Sequence, residues 1–119
     1  MAADAVIGDY AEDVLEVVDQ IPPGRALAYG DVAQLLGRGG PRQVGSVMSR
    51  YAGGSPWWRV VRADGSLPEQ LTARARERWR AESMPLVGGL LTGTRIDLPL
   101  ARWDAEGAWI PGDEPAAGT

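Results

Sequence analysis

Cysteine, histidine and phenylalanine are absent from this chain, and all 12 of its basic residues are arginine. Without a thiol or an imidazole, the protein has no thiolate nucleophile, no imidazole base, no disulfide and no Cys/His zinc site. The polar chemistry that remains is that of carboxylates, hydroxyls and guanidinium groups, and we expect no cofactor and no metal. Because Phe is missing while there are 5 Trp, the indoles must supply much of the bulky core packing.

Size and hydrophobicity predict one small globular domain. The chain has 119 residues, of which 45% are hydrophobic, and a chain of this length supports a single modest core. No run approaches the roughly 20 apolar residues of a membrane span, and the first residues lack the features of a signal peptide. We therefore expect a cytoplasmic monomer with no membrane partner. Residues 1–111 are predicted to form the domain, and residues 112–119 a disordered tail.

Charge is distributed unevenly along the sequence. The formal net charge of -4 argues by itself against nucleic-acid binding. Residues 1–31, however, contain seven acidic residues against one Arg, whereas residues 32–63 contain five Arg and no acidic residue. Arginine is well suited to binding phosphate groups and to stacking on rings. The middle of the chain is therefore a candidate nucleic-acid contact.

The first half of the chain is predicted to be helical. Apolar residues recur at three- and four-residue steps across residues 6–21, which predicts an amphipathic helix with an acidic outer face. After a short extended piece, Asp31 is a plausible N-cap for a second helix that ends at Gly37. Pro41 fits the first turn of a third helix. Two short helices joined by a Gly-containing turn indicate a helix-turn-helix.

The second half predicts a short hairpin and one more helix. Residues 52–55 are expected to be a flexible connector, residues 57–62 a strand, and Asp64-Gly65 the turn of a hairpin. A further helix is predicted over residues 70–82 and an extended segment over residues 95–99. The predicted fold is therefore α+β, a small winged-helix-like domain, with helix-turn-helix and short hairpin, and an extended C-terminal segment.

Three segments, in this order and spacing, resemble one known family. They are IPPGRALAYGDVA at residues 21–33, RQVG at residues 42–45, and PWWRVV at residues 56–61. They are similar to the DNA-binding domain of O6-alkylguanine-DNA alkyltransferases, whose reactive motif is Pro-Cys-His-Arg. Trp57 stands in place of the reactive Cys. This replacement resembles the alkyltransferase-like proteins, which bind alkylated DNA without removing the alkyl group, so the resemblance implies a protein that is not an enzyme.

The resemblance implies roles for several residues in DNA binding. Arg42 matches the arginine finger that enters the base stack where a nucleotide has been extruded. Tyr29 matches the Tyr beside the flipped nucleotide, and the small residues Gly45 and Ser46 would let the helix approach the minor groove. The predicted DNA-binding residues are Tyr29, Arg42, Gln43, Gly45, Ser46 and Arg50.

The resemblance also implies a pocket for the extruded base. Trp57 would form part of its wall, and Arg59 would organise the pocket loop by hydrogen-bonding backbone carbonyls. Trp58 stands where relatives usually have His, and it could shrink the pocket or pack away from it. Glu82 matches the helix Glu that supports the Cys-His relay, and is expected to be only structural here. The predicted pocket residues are Trp57, Trp58, Arg59, Val60 and Ser66.

The resulting prediction is recognition of O6-alkylguanine in duplex DNA by minor-groove binding and nucleotide flipping. The bound DNA would be a signal to nucleotide excision repair proteins, and the protein would be nucleoid-associated when bound. One alternative is a DNA-binding module without lesion recognition, in which Trp58 closes the pocket. Another is a protein-interaction domain that uses the acidic first helix. A hydrolase based on paired carboxylates is not supported, because no pair has a fixed spacing or an apolar setting.

Overall fold

In the computed structural model, residues 2–89 and 93–112 are described, with side chains from Gly8 onward. The predicted disordered tail lies outside the described residues except for Gly112. Helix α1 spans Ala2–Val18 and buries Val14 and Val17 completely. The helix ends three residues before the predicted position, because the chain after Val18 changes to tighter three-residue hydrogen bonds ahead of two prolines.

The helix-turn-helix is present. Strand β1 (Leu27–Ala28) leads directly into α2 (Tyr29–Leu36), and α3 spans Pro41–Tyr51. The prediction of Asp31 as N-cap was wrong: Asp31 is the third residue of α2, and its carboxylate accepts the Ala28 N–H at 2.8 Å. The Asp31 side chain thus reaches back to the N–H of the residue before the helix, which is the one bond of a capping box that Ala28 can make without a polar side chain.

Gly37 ends α2 in the left-handed conformation, with φ 73°, as predicted. The connector that follows α3 was predicted to be flexible, but it forms a 3-10 turn over Ala52–Gly54. A second 3-10 turn, Trp57–Arg59, replaces most of the predicted strand, and only Val60–Val61 form β2. The backbone of this turn is hydrogen-bonded to near neighbours in sequence, as in the bond from the Val60 N–H to the Trp57 carbonyl. It does not need the hydrogen bonds to a neighbouring strand that a β-strand requires.

Strand β2 pairs with β1 in parallel, Leu27 opposite Val60 and Ala28 opposite Val61. The predicted turn at Asp64-Gly65 forms, because the Gly65 N–H bonds to the Arg62 carbonyl at 2.8 Å. Beyond the turn, the Ser66 carbonyl accepts the Arg62 N–H at 3.0 Å, but no second strand forms beside β2 in the described residues. The predicted hairpin is therefore reduced to this closed turn. The α+β fold is confirmed, with its central pairing made between segments far apart in sequence.

The remaining elements complete the domain. Helix α4 (Glu69–Ala81) confirms the predicted fourth helix within one residue, and β3 (Leu86–Val87) pairs antiparallel with β4 (Arg95–Ile96). The extended segment predicted over residues 95–99 continues only to Asp97, because Leu98–Ala101 form one helical turn, α5. Pro99 lies in the first turn of α5, where its missing N–H leaves no helical bond unmade.

Two buried clusters flank the β1–β2 pair. Because successive strand residues point to opposite faces, Leu27 joins the cluster of α1, α2 and α3, whereas Ala28 joins that of α4 and β4. Trp79 is 0% exposed in the second cluster, which confirms that an indole supplies core bulk. None of the described helices is long and apolar enough to cross a membrane. The strand pair thus joins the helix-turn-helix to α4, and the cavity described below lies between them.

Among the described glycines, Gly65 approaches a neighbouring backbone most closely. Its φ is +87°, and a Cβ there would lie 2.0 Å from the Ile96 carbonyl oxygen. We therefore expect Gly65→Ala to lower the free energy of unfolding by at least about 2 kcal/mol. Gly8→Ala is the matched control, since a Cβ at Gly8 meets nothing within 4 Å and Ala favours a helix. Urea unfolding followed by circular dichroism measures both, and equal stability of the two variants would contradict the expectation.

Candidate nucleic-acid interface and base pocket

One face of α3 is formed by small residues and one arginine. Arg42, Gly45 and Ser46 recur at three- and four-residue steps, so they lie on the same side of the helix, opposite the buried Val44 and Val47. Arg42 is exposed in the first turn of α3, and none of the ion pairs found within the described residues includes its guanidinium. This face can therefore approach a phosphate backbone closely and offer it an uncommitted positive charge.

Tyr29 begins α2 and packs beside the same face of α3. A Cβ on Gly45 would lie 3.9 Å from the ring of Tyr29, which is ordinary contact. Burial raises the pKa of the Tyr29 phenol, while the positive charge of Arg62 opposes that rise. The hydroxyl is therefore protonated at neutral pH and available to donate a hydrogen bond.

A cavity of about 550 Å³ opens beside this face, between α3 and α4. Its volume is within the range typical of small-ligand sites. The lining residues come from both halves of the domain, and they include Tyr29, Gly45, Met48, Ser49, Trp57, Arg62, Gln70, Leu71 and Arg74. Residues 70, 71 and 74 are one face of α4, so the cavity exists only because α4 packs across from the helix-turn-helix.

Trp57 lies in the cavity wall, where the guanidinium of Arg74 is 5.6 Å from its ring centroid. Trp58 does not line the cavity. Its ring meets Trp57 edge-on, with centroids 5.7 Å apart and planes at 87°. The guanidinium carbons of Arg59 and Arg78 are 5.4 and 4.6 Å from the centroid of the Trp58 ring. Trp58 thus packs away from the cavity and leaves it open.

Of the residues predicted for the lesion pocket, Trp57 lines this cavity, whereas Trp58, Arg59, Val60 and Ser66 do not. Val60 is fully buried in β2 because the parallel pairing directs it into the core. The Ser66 hydroxyl donates to the Asp64 carboxylate at 2.6 Å, which closes the turn and holds the pKa of Asp64 below its usual value. Arg59 is hydrogen-bonded to Glu82 and to the Ile21 carbonyl instead.

Arg59 binds a backbone carbonyl, as predicted, but its main partner is Glu82. Its Nη1 donates to the Ile21 carbonyl at 2.8 Å, and its Nε donates to the two Glu82 carboxylate oxygens at 3.0 and 3.1 Å. Glu82 also accepts the Trp58 indole N–H at 2.8 Å and the Gly24 N–H at 3.1 Å. Glu82 is therefore the common acceptor that fixes the turn carrying Trp57.

Burial by itself would raise the pKa of the Glu82 carboxyl. The hydrogen bonds from Arg59, Gly24 and Trp58, together with the charge of Arg59, outweigh burial and hold that pKa below its usual value. The carboxylate is consequently charged at neutral pH. This agrees with the structural role expected for Glu82, since three groups, the Arg59 guanidinium, the Trp58 indole N–H and the Gly24 N–H, are bound to the carboxylate.

The remaining α3 residues predicted to bind DNA, Gln43 and Arg50, are exposed but do not line the cavity. The sequence interpretation missed Arg62 and Arg74, which do line it. Arg74 could have been noticed from the spacing of residues 70, 71 and 74 along one helix face. Nothing in the sequence, however, indicates that this face lies across from α3.

Comparison with known proteins identifies the family. The family model described as "6-O-methylguanine DNA methyltransferase, DNA binding domain" matches residues 9–84. A protein of Escherichia coli (strain K12), named DNA base-flipping protein, is 37% identical over 99 residues, covering 80% of this chain and 74% of that protein. A protein of the same name from Vibrio parahaemolyticus serotype O3:K6 (strain AQ3810) is 33% identical over 76 residues, covering 60% of this chain and 76% of that protein.

Solved structures agree. S. pombe Atl1 in complex with damaged DNA containing O6-carboxymethylguanine is similar with a TM-score of 0.71 and 25% identity, covering 81% of this chain and 95% of that one. The M. tuberculosis O6-methylguanine methyltransferase is similar with a TM-score of 0.54 and 26% identity, covering 70% and 53%. This chain therefore belongs to the family of 6-O-methylguanine DNA methyltransferase DNA-binding domains, as an alkyltransferase-like member.

Glu82→Gln tests the role of the carboxylate. We expect the variant to lose about 1–3 kcal/mol of unfolding free energy at neutral pH, because an amide cannot replace the charged acceptor of Arg59. Since the folded-state pKa lies below the ordinary 4.5, this stabilisation is present above pH 4.5 and disappears as the pH falls through the folded-state pKa. The difference between the two proteins should therefore shrink in acid, as measured by urea unfolding at several pH values.

Asp13→Asn is the control for that measurement. Its partner Arg38 is half exposed, with a side-chain exposure of 49%, and exposed pairs contribute little. The control should change the free energy of unfolding by less than about 1 kcal/mol. A Glu82→Gln effect no larger than the Asp13→Asn effect would show that Glu82 is dispensable to the turn.

Proposed function

We propose that this protein recognises O6-alkylguanine in duplex DNA by turning the damaged nucleotide into the cavity between α3 and α4, without removing the alkyl group. The observation that carries the proposal is an open cavity with Trp57 in its wall in a chain with no Cys. An indole can stack against a base, but it has no group that attacks an alkyl carbon. The open cavity together with the absence of Cys supports recognition of the lesion without alkyl transfer.

The arrangement of α3 supports binding from the minor groove. Arg42 is about one helical turn before Gly45, and Gly45 itself lines the cavity. An arginine that replaces an extruded nucleotide must stand next to the opening that receives the nucleotide. Tyr29, in the cavity wall beside Gly45, has a protonated hydroxyl for the adjacent phosphate group. Gln43, Ser46 and Arg50 are proposed to contact the DNA backbone alongside them.

Base extrusion requires a few kcal/mol, and less for a damaged base that pairs poorly. Stacking on an aromatic ring returns about 1–3 kcal/mol per base. These magnitudes are comparable, so capture is favoured where the lesion has already weakened pairing. The named relatives support this reading, since two are called DNA base-flipping proteins and Atl1 was solved with DNA containing a guanine lesion.

The alternative without lesion recognition required Trp58 to close the pocket. Trp58 meets Trp57 edge-on and does not line the cavity, which supports lesion binding over that alternative. We further propose that the protein acts as a cytoplasmic monomer, bound to the nucleoid through damaged DNA. In this proposal the bound DNA is the signal that nucleotide excision repair proteins detect.

Arg42→Ala tests the flipping step. In titrations of two duplexes that differ only by one O6-methylguanine, the native protein should bind the damaged duplex more tightly. Arg42→Ala should reduce that preference, because nothing then fills the space left by the extruded base. Arg80→Ala is the control, an exposed arginine on α4 that does not line the cavity. Equal affinity of the native protein for both duplexes would defeat the proposal.

Trp57→Leu tests the pocket wall. Leucine keeps an apolar side chain but removes the stacking surface, so affinity for the damaged duplex should fall by roughly tenfold to a hundredfold. Trp109→Leu is the matched control, because Trp109 is 51% exposed and lies outside the cavity. A similar loss in both variants would mean that Trp57 has no special contact with the lesion.

Mass spectrometry tests the absence of alkyl transfer. After incubation with a duplex containing O6-methylguanine, the mass of the protein should be unchanged, because no thiolate is present to accept the methyl group. The lesion should be recovered intact from the DNA. A protein heavier by one methyl group would show that another side chain reacts.

A further inference from the structure

Two arginines and no acidic residue line the cavity. Arg62 follows β2 and Arg74 lies on α4, while the other polar side chains of the wall, such as Tyr29, Ser49 and Gln70, are neutral. Neither arginine takes part in the ion pairs present within residues 2–89 and 93–112, which use Arg38, Arg59 and Arg102. Asp64 is near enough for the charge of Arg62 to lower the pKa of its carboxyl, but no acidic side chain is among the residues that line the cavity. Arg74 is therefore the less compensated of the two positive charges.

The two guanidinium groups act on groups at the cavity wall. Arg74 lies over the ring of Trp57, with 5.6 Å between its central guanidinium carbon and the ring centroid. Arg62 is near enough to Tyr29 for its charge to act on the phenol. A base beside Trp57 would thus bring its substituents close to Arg74, which is in none of the ion pairs of the described residues.

Lesions with a neutral substituent and lesions with an anionic substituent should interact differently with a wall that contains arginine. A neutral alkyl group offers the guanidinium no acceptor, whereas a carboxylate can accept two parallel N–H bonds from arginine. Both arginines are exposed, so the expected gain is the modest one of a solvent-accessible pair with bidentate geometry. An anionic substituent would also gain from both positive charges, because no acidic side chain in the wall opposes it.

We propose that the cavity is selective for O6-alkylguanines that have an anionic substituent, with Arg74 as the main determinant and Arg62 as a second positive charge. This inference rests on the proposed function, and it specifies which lesions that function serves best. A carboxymethyl group on O6 is the smallest substituent of this kind.

The test compares four duplexes that differ at one guanine: unmodified, O6-methyl, O6-carboxymethyl, and the neutral amide of the carboxymethyl group. The carboxylate and its amide have nearly the same size, so their affinity ratio isolates charge. At about 150 mM salt, where long-range attraction is screened, the native protein should bind the carboxylate duplex roughly fivefold to tenfold more tightly than the amide duplex. Equal affinity for these two duplexes would overturn the inference.

Substitutions of Arg74 assign the preference to one residue. Arg74→Gln should bring the ratio of carboxylate to amide affinity close to one, and Arg74→Lys should retain part of it because the charge remains. Arg78→Gln is the matched control: Arg78 is one turn further along α4, stacks on Trp58 rather than Trp57, and does not line the cavity. This control should leave the ratio unchanged.

The outcomes separate this inference from the function on which it rests. If Arg74→Gln weakens all four duplexes equally and the ratio persists, Arg74 binds phosphate groups and the inference is wrong. If every lesion binds more tightly than unmodified DNA but charge makes no difference, the inference fails while the proposed function stands. If no lesion binds more tightly than unmodified DNA, the proposed function fails as well.

Discussion

The Glu82 carboxylate is the interaction on which the site depends. It accepts hydrogen bonds from Arg59, from the Trp58 indole and from the backbone of Gly24, and so it joins the end of α4 to the segment after α1 and to the turn that carries Trp57. The Trp79 indole N–H adds a bond to the Trp58 carbonyl at 2.7 Å. A short turn with no regular ladder is thereby held in one conformation, which keeps Trp57 in the cavity wall and Trp58 behind it.

Acidic and basic residues are distributed unevenly over the molecule, and the net charge does not show this. Asp9, Glu12 and Glu16 of α1 are exposed. Asp13 of the same helix pairs with Arg38, and Asp31 of α2 pairs with Arg102. Arg42, Arg62 and Arg74 have no such partner in the described chain. A protein with net charge -4 can therefore present a positive surface to DNA, because the field near a groove depends on the nearest charges more than on their sum.

Local patterns predicted the helices well and the strands poorly. Helices α2, α3 and α4 could be located from periodicity, Gly37 and Pro41, because a helix satisfies its backbone with near neighbours in sequence. Strand β2 is only two residues long, and its partner β1 is more than 30 residues away. A hairpin was therefore predicted at Asp64-Gly65, where the sequence favours a turn, although long-range parallel pairing determines where Val60 and Val61 lie.

The sequence alone determined that the protein has no thiol and no imidazole, and it identified the family. No Cys exists to react, and the order of three short segments, with Trp57 in the last, identified the class of protein. The tertiary structure alone decided what surrounds Trp57. Whether Trp58 closes the pocket, and whether Arg74 lies over Trp57, depends on how α4 packs across from α3, since residues more than 15 positions apart meet only through the core that joins them. Side-chain direction in a short turn is set by that packing and not by neighbours in sequence.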